Sequence, residues 1–259
     1  MNIGEENIGV LSMGRFALLL AILILGFAVG GFTPVRAGED YVLVLNPANN
    51  TPSYATHVYD PVEVSSSHGF SVQWWATTTS GAGAKPMTIM RVTLSDSATT
   101  DGNFLDPSVR DSYPEVEFVY NATDSGLYFL YNHTVRGHDI IDFQSGRKWH
   151  LFNVTLEVVS GKVNAIWYVD GTPYLREALD IGPPLYVQAT DAFTGEYGLL
   201  YLDNVTDSEG NNDDFNNRSS TYFTFDGNHD FVLKSEVSFF SGLIPGVVLL
   251  ALVPFFLRR

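Results

Sequence analysis

The sequence predicts an all-β domain, a sandwich or a barrel, set between two apolar ends. Three observations predict it. Residues 40–236 show no long amphipathic helical pattern; short runs with apolar residues at every second position alternate with Gly, Asn, Asp and Pro. About a dozen such runs on one chain call for two packed sheets or one closed sheet. The 259 residues include no cysteine, so the domain is held by its core rather than by disulfides, and about 200 residues suffice for one. No internal repeat is visible, which argues against a propeller.

The elements follow in order. Residues 41–45 form a first apolar run. Phe70, Val72 and Trp74 share one face of the run 70–76, which leaves Ser71, Gln73 and Trp75 on the other. In 87–94, Arg91 shares its parity with Ile89 and Thr93. Val116, Phe118 and Tyr120 line one face of 115–120, and 126–132 follows. His150, Phe152, Val154, Leu156 and Val158 make a long period-2 series, with Asn153 and Glu157 opposite. Ser160-Gly161 turns the chain into 162–169, and Asp170-Gly171 marks the next hairpin. Further strands are expected at 184–189, 197–203, 221–225 and 231–235.

Three places in Gly69–Glu209 resemble the laminin G-like, concanavalin A-like lectin and glucanase jelly rolls. Gly-Phe-Ser-Val-Gln-Trp-Trp-Ala (69–76) is similar to their early strand. Lys-Trp-His-Leu-Phe-Asn-Val (148–154), followed by Trp-Tyr-Val-Asp-Gly (167–171), is similar to a strand and hairpin later in the fold. Gly-Leu-Leu-Tyr-Leu-Asp-Asn-Val (198–205) is similar to a late strand. The resemblance implies a two-sheet jelly-roll sandwich, in which 41–45 pairs near 221–235.

The ends have a different character. Residues 1–37 read as a signal peptide, with translation starting at Met13: Arg15 supplies the positive charge, Phe16–Val29 the apolar core, and Val35-Arg36-Ala37 the small residues before cleavage. An uncleaved N-terminal anchor is the alternative. Residues 237–259 read as a transmembrane helix ended by Arg258 and Arg259: 21 uncharged residues at 1.5 Å each span about 30 Å, and the arginines stay on the cytoplasmic side. The run 243–259 resembles the C-terminal sorting tails of archaeal surface proteins. Ser241-Gly242 stands where one type carries a cysteine, so a thiol-linked lipid is excluded. The ectodomain is then 38–236. With Arg15, Arg36, Arg258, Arg259, Glu5 and Glu6 set aside, it holds 10 basic and 27 acidic residues, a net charge of −17. That charge argues against nucleic acid as a partner.

Six Asn-X-Ser/Thr sequons start at Asn49, Asn121, Asn132, Asn153, Asn204 and Asn217, where 16 Asn and 39 Ser+Thr among 259 residues predict about two by chance. They fit a glycan-bearing surface outside the cell, although abundant Asn and Thr in β loops would also raise the count. Asn153 is expected to point to solvent.

Glucanases of the resembled fold carry a Glu-x-Asp-x-x-Glu pattern. Glu115-Val116-Glu117 comes nearest, but Tyr120 replaces the third acid, and the pair reads as a solvated strand face. No nucleophile elbow, phosphate loop or zinc helix appears. An enzyme is not expected. Asp203, Asp207, Glu209 and Asp213, in an acid-rich run, suit Ca2+ as hard oxygen ligands, though Gly210 is misplaced for an EF-hand and a plain acidic loop is the alternative. Sugar binding uses aromatic platforms with a few polar groups. Trp75, Gln73, Arg91, Tyr128 and Tyr131 are the candidates, and the alternative is that Trp75 covers the core edge. The function expected is therefore a membrane-anchored cell-surface protein whose noncatalytic lectin-like domain binds carbohydrate or a surface protein. A structural coat component is the second reading; a glycoside hydrolase or polysaccharide lyase is the third.

Overall fold

The computed structural model describes residues 40–47, 51–79, 86–98, 103–143, 148–195 and 198–238. The expected signal segment, the tail from residue 239, and Asn49 lie outside the described residues. No helix among the described residues is long and apolar enough to cross a membrane.

The strands are β1 (Tyr41–Leu45), β2 (Ser53–Val64), β3 (Phe70–Thr78), β4 (Met87–Ser95), β5 (Glu115–Asn121), β6 (Gly126–Tyr131), β7 (Thr134–Ile140), β8 (His150–Val159), β9 (Lys162–Val169), β10 (Thr172–Ala178), β11 (Leu185–Thr194), β12 (Leu200–Asp207), β13 (Asn212–Asp213), β14 (Thr224–Asp226) and β15 (His229–Leu233). Two short helices are α1 (Pro107–Arg110) and α2 (Lys234–Ser238). Sheet A has the order β10-β9-β8-β3-β12-β1-β15, with β13 added beside β12. Sheet B has the order β14-β2-β11-β4-β5-β6-β7. Neighbouring strands are antiparallel throughout both sheets. The chain crosses repeatedly from one sheet to the other, giving a two-layer jelly-roll sandwich. As expected, β1 pairs with β15, Leu43 facing Phe231.

The inner faces meet in one core that includes Trp74, Phe152 and Trp167 from sheet A and Ile89, Phe118 and Phe129 from sheet B. Two indoles stitch the layers together, because a buried N–H needs an acceptor. Trp74 Nε1 donates to the carbonyl of Ile89 at 3.1 Å, and Trp167 Nε1 to that of Glu117 at 2.9 Å. The Ser160-Gly161 and Asp170-Gly171 turns both take positive φ, at 52° and 76° and at 51° and 76°, as tight hairpins of this twist require. Asn132 and His133, at 48° and 59°, make a third such turn.

Four strands depart from the sequence reading. β2 has no counterpart among the expected strands, and it carries Pro61. There β2 is an edge strand, since β14 reaches only Tyr54–Thr56, and its pairing with β11 is irregular between Val58 and Val62, so no ladder bond is lost. β7 and β10 are exposed edge strands without an alternating apolar face. β13 is two residues long. Val237, expected at the head of the anchor, sits in α2 and is buried with Val42, Val44 and Tyr201 on the outer face of sheet A.

Candidate functional site

The five residues expected to form a sugar platform are not brought together. Trp75 and Gln73 lie on the outer face of β3, and Trp75 is 37% exposed. Arg91 was expected beside them on the next strand, but β4 belongs to sheet B, on the opposite side of the core. Period-2 parity separates the two faces of a strand and says nothing of which sheet it joins. Arg91 is also buried. Ile89, grouped with it by parity, points into the core because the ladder shifts between Thr88 and Met90. Tyr131 faces inward and is buried, opposite Val116. Tyr128 is outward and half-buried; its hydroxyl donates to Asp124 at 2.6 Å and its ring stacks on His138.

The outer face of sheet B is occupied by charge. α1 lies over it, capped by Asp106, whose Oδ1 accepts from the Ser108 amide at 2.9 Å, with Pro107 at the first helical position. Arg91 and Asp191 face each other on β4 and β11 in two contacts, Nε–Oδ1 at 2.8 Å and Nη2–Oδ2 at 2.9 Å. Arg110 descends from α1, 3.6 Å from Asp191, and donates to the Phe104 and Leu105 carbonyls. Glu115 and Glu117, expected to be solvated, are 0% and 5% exposed; Arg91, 3.8 Å from Glu115, and Thr88, whose hydroxyl donates to Glu117, come from the neighbouring β4, which strand parity does not show. Burial, reinforced by a hydrogen bond to and the charge of Glu117, pushes the Glu115 carboxyl up to about 9. His133 Nδ1 contacts Glu115 Oε1 and lies 3.9 Å from Glu117 Oε1. Among the described residues, Glu115, Glu117 and His133 alone place three metal-capable ligand atoms within 4.8 Å of one another. A divalent cation would need Glu115 ionised, which its burial opposes. The same burial keeps a glycosidic bond from reaching this carboxyl.

The four expected calcium ligands have separate partners. Asp203 is buried against Lys234. Asp207 accepts from Tyr59 Oη at 2.9 Å and from Asn211. Asp213 accepts from Ser220 Oγ and the amides of Phe215, Thr221 and Tyr222. Glu209 pairs with His68 at 3.1 Å.

A cleft of about 300 Å3 opens between the sheets where edge strands β7 and β10 approach each other. Leu127, Ile141 and Val169 form its buried floor; Asp139, Asp142, Lys148 and Asp170 supply charge along its walls. Ile140 and Tyr174 stand at its mouth, 76% and 46% exposed. His150 also lines it. Its Nδ1 is 2.7 Å from Asp170 Oδ2, so the Nδ1–H tautomer donates there and leaves Nε2 an acceptor. That Nε2 is enclosed and has no hydrogen-bond partner among the described residues. The sequence marks His150 and Asp170 by strand period and hairpin turn; Tyr174, on an unrecognised edge strand beside Pro173, gives no signal.

No family model matches the chain, and no curated protein matches it. Solved structures do. The Emp46p carbohydrate recognition domain (Y131F mutant) is 11% identical, with a TM-score of 0.46 over 66% of this chain and 89% of that one. A legume lectin-like domain from Entamoeba histolytica is 13% identical, with a TM-score of 0.43 over 67% and 86%. Domains LG4-5 of the mouse laminin α1 chain are 13% identical, with a TM-score of 0.42 over 73% of this chain and 46% of that one. These are the kinds of protein to which the sequence motifs point. The two-sheet architecture itself rests on the strand order of this chain.

Proposed function

We propose that the chain is a membrane-anchored cell-surface protein whose β-sandwich binds carbohydrate without transforming it. The cleft between β7 and β10 carries this reading. Its size is at the lower end of small-ligand pockets and suits one or two sugar rings rather than a protein partner. The half-exposed Tyr174 ring offers a face for the C–H side of a pyranose. Asp139 and Asp142 offer acceptors to hydroxyl groups and Lys148 a donor. Three carboxylates against one ammonium favour a neutral or amino sugar over an acidic one. The apolar ends and the sequons support the surface location. The inaccessible Glu115 supports binding without catalysis.

The test is the full-length chain in detergent on an array of neutral, amino and acidic glycans, with a reducing-end assay alongside. Retention of neutral or amino glycans with no product is expected. An array without hits overturns carbohydrate binding, and release of reducing ends overturns its noncatalytic character.

A further inference from the structure

Trp75 is the exposed aromatic at the centre of sheet A, and two sequons flank it. On one side β8 runs antiparallel, with Leu151 opposite Trp75 and Asn153 opposite Gln73. Asn153 is thus the diagonal neighbour of Trp75 on the same face, within reach of a large aromatic side chain. On the other side Asp203 of β12 faces Trp75, and the exposed Asn204 follows it where the ladder shifts.

The Asn153 amide is held from both ends. Its Oδ1 accepts from Thr155 Oγ1, the hydroxyl of its own sequon, at 3.0 Å. Its Nδ2 donates to Gln73 Oε1 at 3.3 Å, which turns the nitrogen toward β3, the strand that carries Trp75. Glycosylation replaces one of the two Nδ2 hydrogens. The Nδ2–C1 bond forms as the C1–O bond to a glycosyl phosphate or pyrophosphate donor breaks; the phosphate departs with the electron pair and the proton passes to a base. The second hydrogen remains for Gln73.

We propose that a glycan on Asn153 seats its first sugar on the indole of Trp75, so that this platform serves the chain's own glycan rather than an external ligand. The C–H face of a hexose or N-acetylhexosamine covers the electron-rich ring and removes apolar surface from water at mid-sheet. The proposal rests on the surface-glycoprotein reading, and its experiment separates the two.

The chain is purified from its own membranes, the sequon peptides are analysed by mass spectrometry, and melting is compared for wild type, Asn153→Gln, Trp75→Ala and the double variant. Sugar on Asn153 is expected. Loss of that sugar is expected to lower Tm by about 2–4 °C when Trp75 is present, by less than about 1 °C in the Trp75→Ala background, and again by the larger amount with Trp75→Tyr. Loss of the Gln73 bond alone lowers Tm equally in both backgrounds, so the difference between them reports the seat. Additive effects overturn the proposal. So does a bare Asn153 beside modified Asn49, Asn121, Asn132, Asn204 or Asn217, which leaves the surface reading standing. Bare asparagines throughout overturn both.

Discussion

Arg91 and Asp191 face each other across β4 and β11 and close a two-point ion pair, at 2.8 and 2.9 Å, on a face that was expected to be open to solvent. The pair replaces a ligand surface with a sealed one. The Arg91 guanidinium also meets Asp111 at 2.8 Å and stacks over Phe193. Burial opposes its charge, but Asp191 outweighs this and raises the Arg91 pKa above its ordinary value.

Breaking the pair from the Arg91 side leaves the buried Asp191 with only the more distant Arg110, at 3.6 Å, opposite it. Arg91→Met is expected to cost about 3–5 kcal/mol, read as a lower urea midpoint at unchanged slope. The exposed pair Arg176–Glu157, at 2.8 Å, is the control. Arg176→Ala is expected to change stability by less than about 1 kcal/mol. Equal effects of the two variants would show that the face is hydrated.

Glu115 makes stability depend on pH in a defined direction. Burial first, and Glu117 second, push its carboxyl from the ordinary value of 4.5 up to about 9 in the fold. Between those values the folded state holds a proton that the unfolded state has released, so stability falls as pH rises through the window. Asp203, raised by burial despite Lys234, contributes in the same direction. Glu115→Gln cannot ionise and is expected to flatten the fall between pH 5 and 9 in urea titrations. A variant as steep as wild type would show that Glu115 ionises normally.

The sequence made visible whatever depends on local period. The inward series from His150 to Val158, the Ser160-Gly161 and Asp170-Gly171 hairpins and the outward Trp75 all follow from neighbours along one strand. What it hid depends on which strands become neighbours. Arg91 shares outward parity with Trp75 yet lies in the other sheet. Glu115 and Glu117 look solvated until Arg91 from β4 and His133 from the turn after β6 are known to lie against them. Tyr174 and Ile140 meet only because β7 and β10 are edges of different sheets on the same side of the core.

Asp213 organises the connection from β13 to β14. One carboxylate accepts from Phe215, Ser220, Thr221 and Tyr222 at 2.6–3.1 Å. Asp213→Ala strands the buried Phe215 amide and leaves that of Tyr222 only Ser220 Oγ at 3.2 Å, and is expected to cost about 1–3 kcal/mol. Faster hydrogen exchange confined to 213–223 would accompany it. Because these bonds and those of Asp207 use the oxygens a calcium ion would need, removal of calcium with EGTA is expected to leave Tm within about 1 °C. A larger drop would place a cation in this loop.

Tyr174 separates the two proposed sugar surfaces. It is 46% exposed on edge strand β10 and touches the core through Phe129, with ring centroids 5.8 Å apart. Its truncation removes the stacking face of the cleft and little packing, so Tyr174→Ala is expected to weaken glycan binding at least about tenfold, equivalent to about 1.4 kcal/mol, with Tm nearly unchanged. Trp75→Ala, in sheet A away from the cleft, is expected to leave glycan affinity intact while abolishing the stabilisation by the Asn153 glycan. Isothermal titration of both variants with one array-selected glycan reads the difference. If Trp75→Ala abolishes binding and Tyr174→Ala does not, external sugar occupies sheet A and the cleft is not the site.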